Sequence, residues 1–299
     1  MSEPDQVVVA VLGAGGTMGM GMAANIARSG LPLIAWNRTR EKAEPLVEHG
    51  ARLVDTPAEA GAEADVIVTM LTDGGAVLAA MQGKQGALSR AGEGCVWVQM
   101  STIGEHATRR CMELAHEAGV GFVDAPVLGT KQPAAEGKLV VMASGPPQLR
   151  KHAQPIFDAV AQRTLWVGEA GAGSRLKLVT NAWIVAVVEG AAETIALAEG
   201  LGLDPALFLE AIEGGPLDAP YGRMKAKAMI DRDFTPAFAL KLATKDAMLA
   251  DESAREHGLD LPALKAISEH MQQAVAEHGE EDLSAVYLSS APARPRERP

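Results

Sequence analysis

The chain has 299 residues, 47% of them hydrophobic and 22% charged, with a formal net charge of −11. This is the composition of a soluble globular protein with room for one large or two medium domains, and the acidic balance, with no long basic run, speaks against nucleic acid as a partner. Two cysteines, Cys95 and Cys111, in no metal-ligand spacing, imply no disulfide framework, no metal site and a reducing compartment.

The first five residues are acidic where a signal peptide is basic, so the chain reads as cytoplasmic. The longest uncharged run, 6–27, carries five glycines and reads as strand, turn and helix rather than as a membrane span. A continuous apolar strand over 7–12 is followed by the glycine turn 13–19 and a helix over 20–29. Strands over 33–36, 52–54, 66–71, 95–99 and 120–123 then alternate with helices over 41–49, 57–61, 76–81 and 105–118. That alternation predicts βαβ units and a parallel sheet covered by helices on both faces.

After Asp124 the rhythm changes: a polar, proline-containing loop over 128–137, strand 139–143, helix 147–160 and strand 164–167. From Ser174 everything reads as helix: 174–199, 204–212, 224–230, 241–257 and 262–278, with no internal repeat. The expected organisation is α/β over 1–168, all-helical over 169–290, and a Pro/Arg-rich disordered tail over 291–299. Ser174 is placed to cap the long helix, in which Glu189, Glu193 and Glu199 are the only charges between Lys177 and Gly200. Lys177 and Asn181 share a face of it, just past the expected domain joint, where clefts most often form. A lysine on so apolar a helix either snorkels to water or has a partner or a task.

The turn from Gly13 through Gly15, Gly16, Thr17 and Met18 to Gly19 lies between the first strand and first helix, where backbone N–H groups and the helix's positive end face a bound phosphate. The alternative is a tight turn with no ligand. Beyond the second strand stand Asn37, Arg38, Thr39 and Arg40 instead of a carboxylate. Guanidinium groups and a hydroxyl suit a ribose 2′-phosphate, so NADP(H) is expected over NAD(H), with Arg38 also able to stack on adenine. Ordinary surface arginines are the plainer alternative.

Several further motifs recur together: Met18-Gly19, Met22-Ala23-Ala24-Asn25, Met70-Leu71, Ser101-Thr102-Ile103, Asp124-Ala125-Pro126-Val127-Leu128-Gly129, the stretch 171–181 from Gly171 through Gly173 and Lys177 to Asn181, and Lys245-Asp246. With these the chain resembles the β-hydroxyacid dehydrogenase family over nearly its whole length, and the stretch 129–137 looks nearest to its glyoxylate/succinic semialdehyde reductase branch. The resemblance implies a Rossmann domain followed by a helical domain. It also implies hydride transfer between a nicotinamide and a small hydroxy or aldehydo acid, with no metal.

It further implies Lys177 as proton relay, with Asn181 beside it. Gly13, Gly15, Gly16, Thr17, Met18, Asn37, Arg38, Thr39, Met70, Leu71, Thr102 and Lys245 would meet the cofactor, and Ser101, Leu128, Gly129 and Thr130 the substrate. An ammonium beside the substrate oxygen stabilises the charge that builds there and then donates the proton. Two departures stand out. The glycine turn is one residue longer than the family's, so Thr17 and Met18 are expected nearest the pyrophosphate. Leu128 replaces a serine that binds the substrate carboxylate, which favours a bulkier or more apolar substrate.

A homodimer or tetramer is expected, because so apolar a helix buries more surface in a partner. Three rivals remain. An imine reductase of the same architecture usually lacks the lysine, and a non-catalytic NADP-binding module would not need it. A decarboxylating enzyme of the 6-phosphogluconate type needs a basic phosphate pocket. No histidine–carboxylate pairing of the kind other dehydrogenases use is evident among the seven histidines, and the methionines at helical spacing read as core filler or cleft lining.

Overall fold

Four apolar residues with no exposure form the central strand β1 (Val9–Leu12); Val9 and Val11 face one layer of core, Ala10 and Leu12 the other. In the computed structural model, which describes residues 7–291, the chain divides into two compact units between Lys177 and Leu178. The acidic N-terminal residues and the tail beyond Ala291 lie outside the described residues.

In the first unit β1 leads through α1 (Gly19–Arg28) to β2 (Leu33–Trp36), β3 (Arg52–Leu53), α2 (Pro57–Gly61), β4 (Val66–Thr69) and α3 (Gly74–Met81). Next come β5 (Val96–Gln99), α4 (Gly104–Glu117) and β6 (Gly121–Asp124). The six strands pair in parallel in the order β3-β2-β1-β4-β5-β6. This is a doubly wound sheet whose order reverses beside β1, so the ligand-binding end of the sheet lies at the turn that follows β1. The segment expected as helix 41–49 is a 3-10 helix, Arg40–His49, because Pro45 within it removes a backbone donor.

The loop expected over 128–137 carries regular structure. Its first residue ends β7 (Val127–Leu128), which pairs antiparallel with β8 (Leu139–Ala143), and between them α5 (Lys131–Ala135) buries Ala134. With α6 (Arg150–Val160) and β9 (Ala161–Trp166) these make a separate three-stranded sheet, β7-β8-β9.

α7 (Ala172–Gly200) begins in the first unit and continues into the second. Ser174 is already inside it, so the serine expected as its cap is itself capped by another residue. The division between units falls later than the expected 168/169 joint because the first turn of α7 is hydrogen-bonded to β6 and to the residue after β8. In the second unit α8 (Ala206–Ile212), α9 (Pro220–Asp231), α10 (Leu240–Glu256), α11 (Pro262–His278) and α12 (Tyr287–Ser290) follow, around a core that includes Val188, Ile195, Met229, Met271 and Tyr287. Met224 and Met248, by contrast, are about half exposed.

A buried ion pair, Lys225 Nζ to Asp282 Oδ1 at 2.7 Å, ties α9 to the segment before α12. Burial alone would raise the Asp282 pKa; the Lys225 ammonium and the Ser284 N–H and hydroxyl outweigh it and hold the carboxyl below its usual value. By length and hydropathy α7 could cross a membrane. Its polar residues Lys177, Asn181 and Glu189 are buried, while about a third of its apolar stretch is.

Candidate active site

Two close backbone approaches shape the glycine turn. Gly13 has φ +93° and a Cβ there would lie 2.2 Å from the Met70 carbonyl oxygen; one at Gly19 would lie 2.1 Å from the Gly13 carbonyl oxygen. No side chain fits either place. The N–H groups of Gly13 and Ala14 donate to the Trp36 carbonyl, that of Gly15 to Asn37 Oδ1 at 3.2 Å, and that of Gly16 to the Gly13 carbonyl at 2.9 Å. The extra residue is thus absorbed in a small turn from Gly13 to Gly16. Among the described residues no hydrogen bond takes the N–H of Thr17 or Met18, which stand at the positive end of α1. Open donors at a helix start beside a glycine cradle fit a dinucleotide's phosphates.

At the end of β2, Asn37 is spent on the scaffold: it accepts from Gly15 and donates Nδ2 to the Thr39 carbonyl at 2.7 Å. Arg40 pairs with Asp55 at 2.6 Å. Arg38 and Thr39 are exposed. Across the sheet end, Ser101 is buried; its Oγ accepts from the Leu71 N–H at 2.9 Å and donates to the Thr69 carbonyl at 3.3 Å, while its N–H donates to Gln99 Oε1. The serine fastens the ends of β4 and β5, and Thr102, half-buried, follows it. Leu128 and Thr130 are half-buried and Gly129 is exposed at φ +139°, where a Cβ would lie 2.6 Å from the Leu139 side chain.

The start of α7 is built around a residue that received no role in the sequence reading. Asp124, with no exposure, accepts from the Ser174 N–H (2.8 Å), the Ser174 hydroxyl (2.7 Å) and the Ser144 hydroxyl (3.1 Å). Ser144 Oγ also accepts the Gly173 N–H at 2.9 Å, and Thr108 Oγ1 lies 3.0 Å from Ser174 Oγ. A Cβ at Gly173 would meet the Met142 carbonyl oxygen at 2.2 Å, which explains the glycine. Burial pushes the Asp124 carboxyl above its usual value, against the pull of its donors. Lys177, 7% exposed, follows Ser174 by three residues, so its place depends on this anchored first turn. Asp124 and Ser174 are fifty residues apart, a separation no spacing rule connects.

In the second unit, Asn181 and Asp246 are buried, with Asn181 Nδ2 donating to Asp246 Oδ2 at 2.7 Å. Lys245 Nζ stands 2.7 Å from Asp246 Oδ1. Asn181 Oδ1 is buried and takes no hydrogen bond from the described residues. Asp246 is the second missed residue: it stands in the Lys245-Asp246 motif, yet its role as holder of Asn181 shows only in the packing. Lys245 also lines a groove of about 450 Å³ with Lys241, Thr244 and Met248. His270 Nδ1 lies 2.5 Å from Glu189 Oε1, linking α11 to α7 across eighty-one residues of sequence.

Comparison with known proteins agrees with this geometry. A family model described as the NAD binding domain of 6-phosphogluconate dehydrogenase matches residues 8–168, and one described as NAD-binding of NADP-dependent 3-hydroxyisobutyrate dehydrogenase matches 171–289. The chain is 32% identical over 272 residues to glyoxylate/succinic semialdehyde reductase 1 of Arabidopsis thaliana, covering 91% of this chain and 94% of that protein. It is 31% identical to 2-(hydroxymethyl)glutarate dehydrogenase of Eubacterium barkeri, covering 91% of each. The crystal structure of 3-hydroxyisobutyrate dehydrogenase from Salmonella typhimurium, 25% identical, superposes with a TM-score of 0.86 over 95% of this chain and 99% of that one. Strand order, glycine cradle and helix-borne lysine thus converge with sequence kinship, and the chain belongs to the β-hydroxyacid dehydrogenase family, as an NAD(P)-dependent oxidoreductase of the 3-hydroxyacid dehydrogenase type.

Proposed function

We propose that the enzyme uses NADP(H) to interconvert a small β-hydroxy acid and its carbonyl counterpart, of the 3-hydroxyisobutyrate, glyoxylate or succinic semialdehyde type, with Lys177 relaying the proton. The observation that carries this reading is the buried lysine three residues beyond the Asp124-anchored Ser174. A nicotinamide cofactor held there would supply or take the hydride. In reduction the Lys177 ammonium steadies the negative charge at the substrate oxygen and passes it a proton from Nζ; in oxidation the amine takes that proton back. Asn181, held by Asp246, keeps an open Oδ1 for a donor on the substrate. Gly129 and Thr130 meet the substrate carboxylate, with Ser101 near it. Leu128, in place of a hydroxyl, shifts preference toward the longer and more apolar acids.

For the cofactor, the N–H groups of Thr17 and Met18 take the pyrophosphate. Exposed Arg38, with Thr39, takes the 2′-phosphate, and Asp55 keeps Arg40 aside. Arg38→Ala is expected to raise the KM for NADPH roughly 10–100-fold, the loss of charge-assisted hydrogen bonds, and to leave the KM for NADH within about twofold. An equal rise for both cofactors would overturn the NADP assignment. The substrate class is tested by following NADPH oxidation with glyoxylate, succinic semialdehyde, tartronate semialdehyde and a cyclic imine. Turnover of aldehydo acids is expected; turnover of the imine alone would make this an imine reductase, and tight NADPH binding with no turnover a non-catalytic module.

A second copy of the chain covers the open face of α7. Val179, Trp183 and Leu197 stand along it and Leu201 just past its end, each more than 60% exposed, an apolar face of the kind a partner copy covers. Light scattering is expected to give a dimer or tetramer for the native chain and a smaller species for Trp183→Asp; a monomeric native chain refutes the assignment.

A further inference from the structure

Asn25 lies in the interior of α1, buried, at a position where asparagine weakens a helix and a polar side chain costs stability unless it is bonded. Its Nδ2 leaves its own helix and donates to two carbonyls of α5, Ala134 at 2.8 Å and Ala135 at 3.3 Å. α5 has five residues, so its last carbonyls have no helical donor and would otherwise be stranded beside buried Ala134. One turn earlier, Gly21 lets the α5 backbone rest on α1: a Cβ there would lie 2.7 Å from the Ala135 nitrogen and 2.8 Å from the Ala134 carbonyl carbon. On its other side the segment is held by the β7–β8 pairing of Val127 and Leu128.

We propose that Asn25 is a positioning residue that pins the 128–137 segment to α1, and so sets where Gly129 and Thr130 hold the substrate carboxylate relative to the cofactor's phosphates. This rests on the substrate and pyrophosphate assignments made above. One helix then serves both ligands: its start receives the dinucleotide, and its middle fixes the loop that receives the acid. Asn25 touches neither ligand. Its loss therefore loosens the loop and leaves the open end of α1 intact.

The test compares the native enzyme with Asn25→Ala and, independently, Gly21→Ala, which keeps the amide but drives a methyl into the α5 backbone. Three quantities are read: the Kd for NADPH, kcat and KM for the best aldehydo acid, and hydrogen exchange of the amides at Ala134, Glu136 and Lys138, which are bonded within the segment. Expected in Asn25→Ala are a KM for the acid raised about tenfold, exchange at the three amides faster by at least about tenfold, and an NADPH Kd within about twofold of native, from the loss of one buried hydrogen-bond clamp. Gly21→Ala is expected to show the same split, which keeps the test decisive if Asn25→Ala does not fold. Unchanged exchange and KM overturn the proposal, as does an NADPH Kd that rises in step with KM. If the native enzyme turns over none of the acids, the substrate assignment falls by itself, while exchange and NADPH binding still decide whether Asn25 pins the loop.

Discussion

Lys177→Ala is expected to lower kcat by about 10²–10⁴-fold, the usual worth of a positioned general acid–base group, with NADPH affinity nearly unchanged. Alanine removes the only group assigned to deliver the proton and leaves the Asp124 anchor of the helix start in place. The loss is expected in single-turnover rates as well as at steady state, because it falls on the chemical step rather than on product release. Lys177→Arg keeps a positive charge and still stabilises a developing oxyanion. It releases its proton far less readily and has no deprotonated form to take one back, so turnover is expected to fall in both directions. Undiminished turnover of an aldehydo acid by Lys177→Ala would end the mechanism proposed above.

The second large effect is on stability. Asp124→Ala leaves the Ser174 N–H without its acceptor in a fully buried place, takes one acceptor each from the Ser174 and Ser144 hydroxyls, and removes the cap of a 29-residue helix. An expected cost of about 3–5 kcal/mol follows from the unsatisfied donors and the lost cap together, measured by denaturant unfolding followed in the first unit. Asp124→Asn keeps, in the place of Oδ2, an acceptor for the Ser174 N–H and the Ser144 hydroxyl, and its amide nitrogen can donate to the Ser174 hydroxyl instead of accepting from it.

The carboxyl's upward shift sets the sign of the comparison. A folded value above the ordinary 3.8 means that ionising Asp124 costs stability as pH rises through and past that range. The amide escapes that cost, so Asp124→Asn is expected to lose only about 1–2 kcal/mol at neutral pH, less than Asp124→Ala. Equal damage from both would show that the helix start needs the negative charge itself, through the macrodipole, more than it needs an acceptor. Because Lys177 follows this turn, Asp124→Ala is also expected to lower kcat.

Much of the molecule was legible before any coordinates. Strands β1, β4 and β5 are continuous apolar runs of the kind that parallel sheets bury on both faces, and they fell within two residues of their predicted ends. The glycine turn announced itself because close backbone approach excludes every side chain, which leaves a mark in residue type alone. Local chemistry was less secure where a tertiary bond took over a polar side chain. Ser174 reads as a helix cap and is capped instead; Asn37 and Ser101 also make hydrogen bonds within the scaffold, which residue type alone does not show. The loop over 128–137 conceals a strand end and a short helix because five residues with a proline carry no periodicity; what stabilises that helix is Asn25, more than a hundred residues earlier.

By itself, then, the sequence determined the α/β-then-helical order, the dinucleotide turn, the absence of a carboxylate after the second strand and the presence of a lysine on an apolar helix. These are properties of periodicity and of residue type at short range. Only the tertiary structure decided that Asp124 anchors the helix bearing that lysine, that Asp246 holds Asn181 and that Asn25 holds the 128–137 segment. Each of these is a buried polar pair whose members lie fifty or more residues apart. Burial makes an unbonded polar atom costly, so such partners must meet somewhere in the fold; no local rule says where.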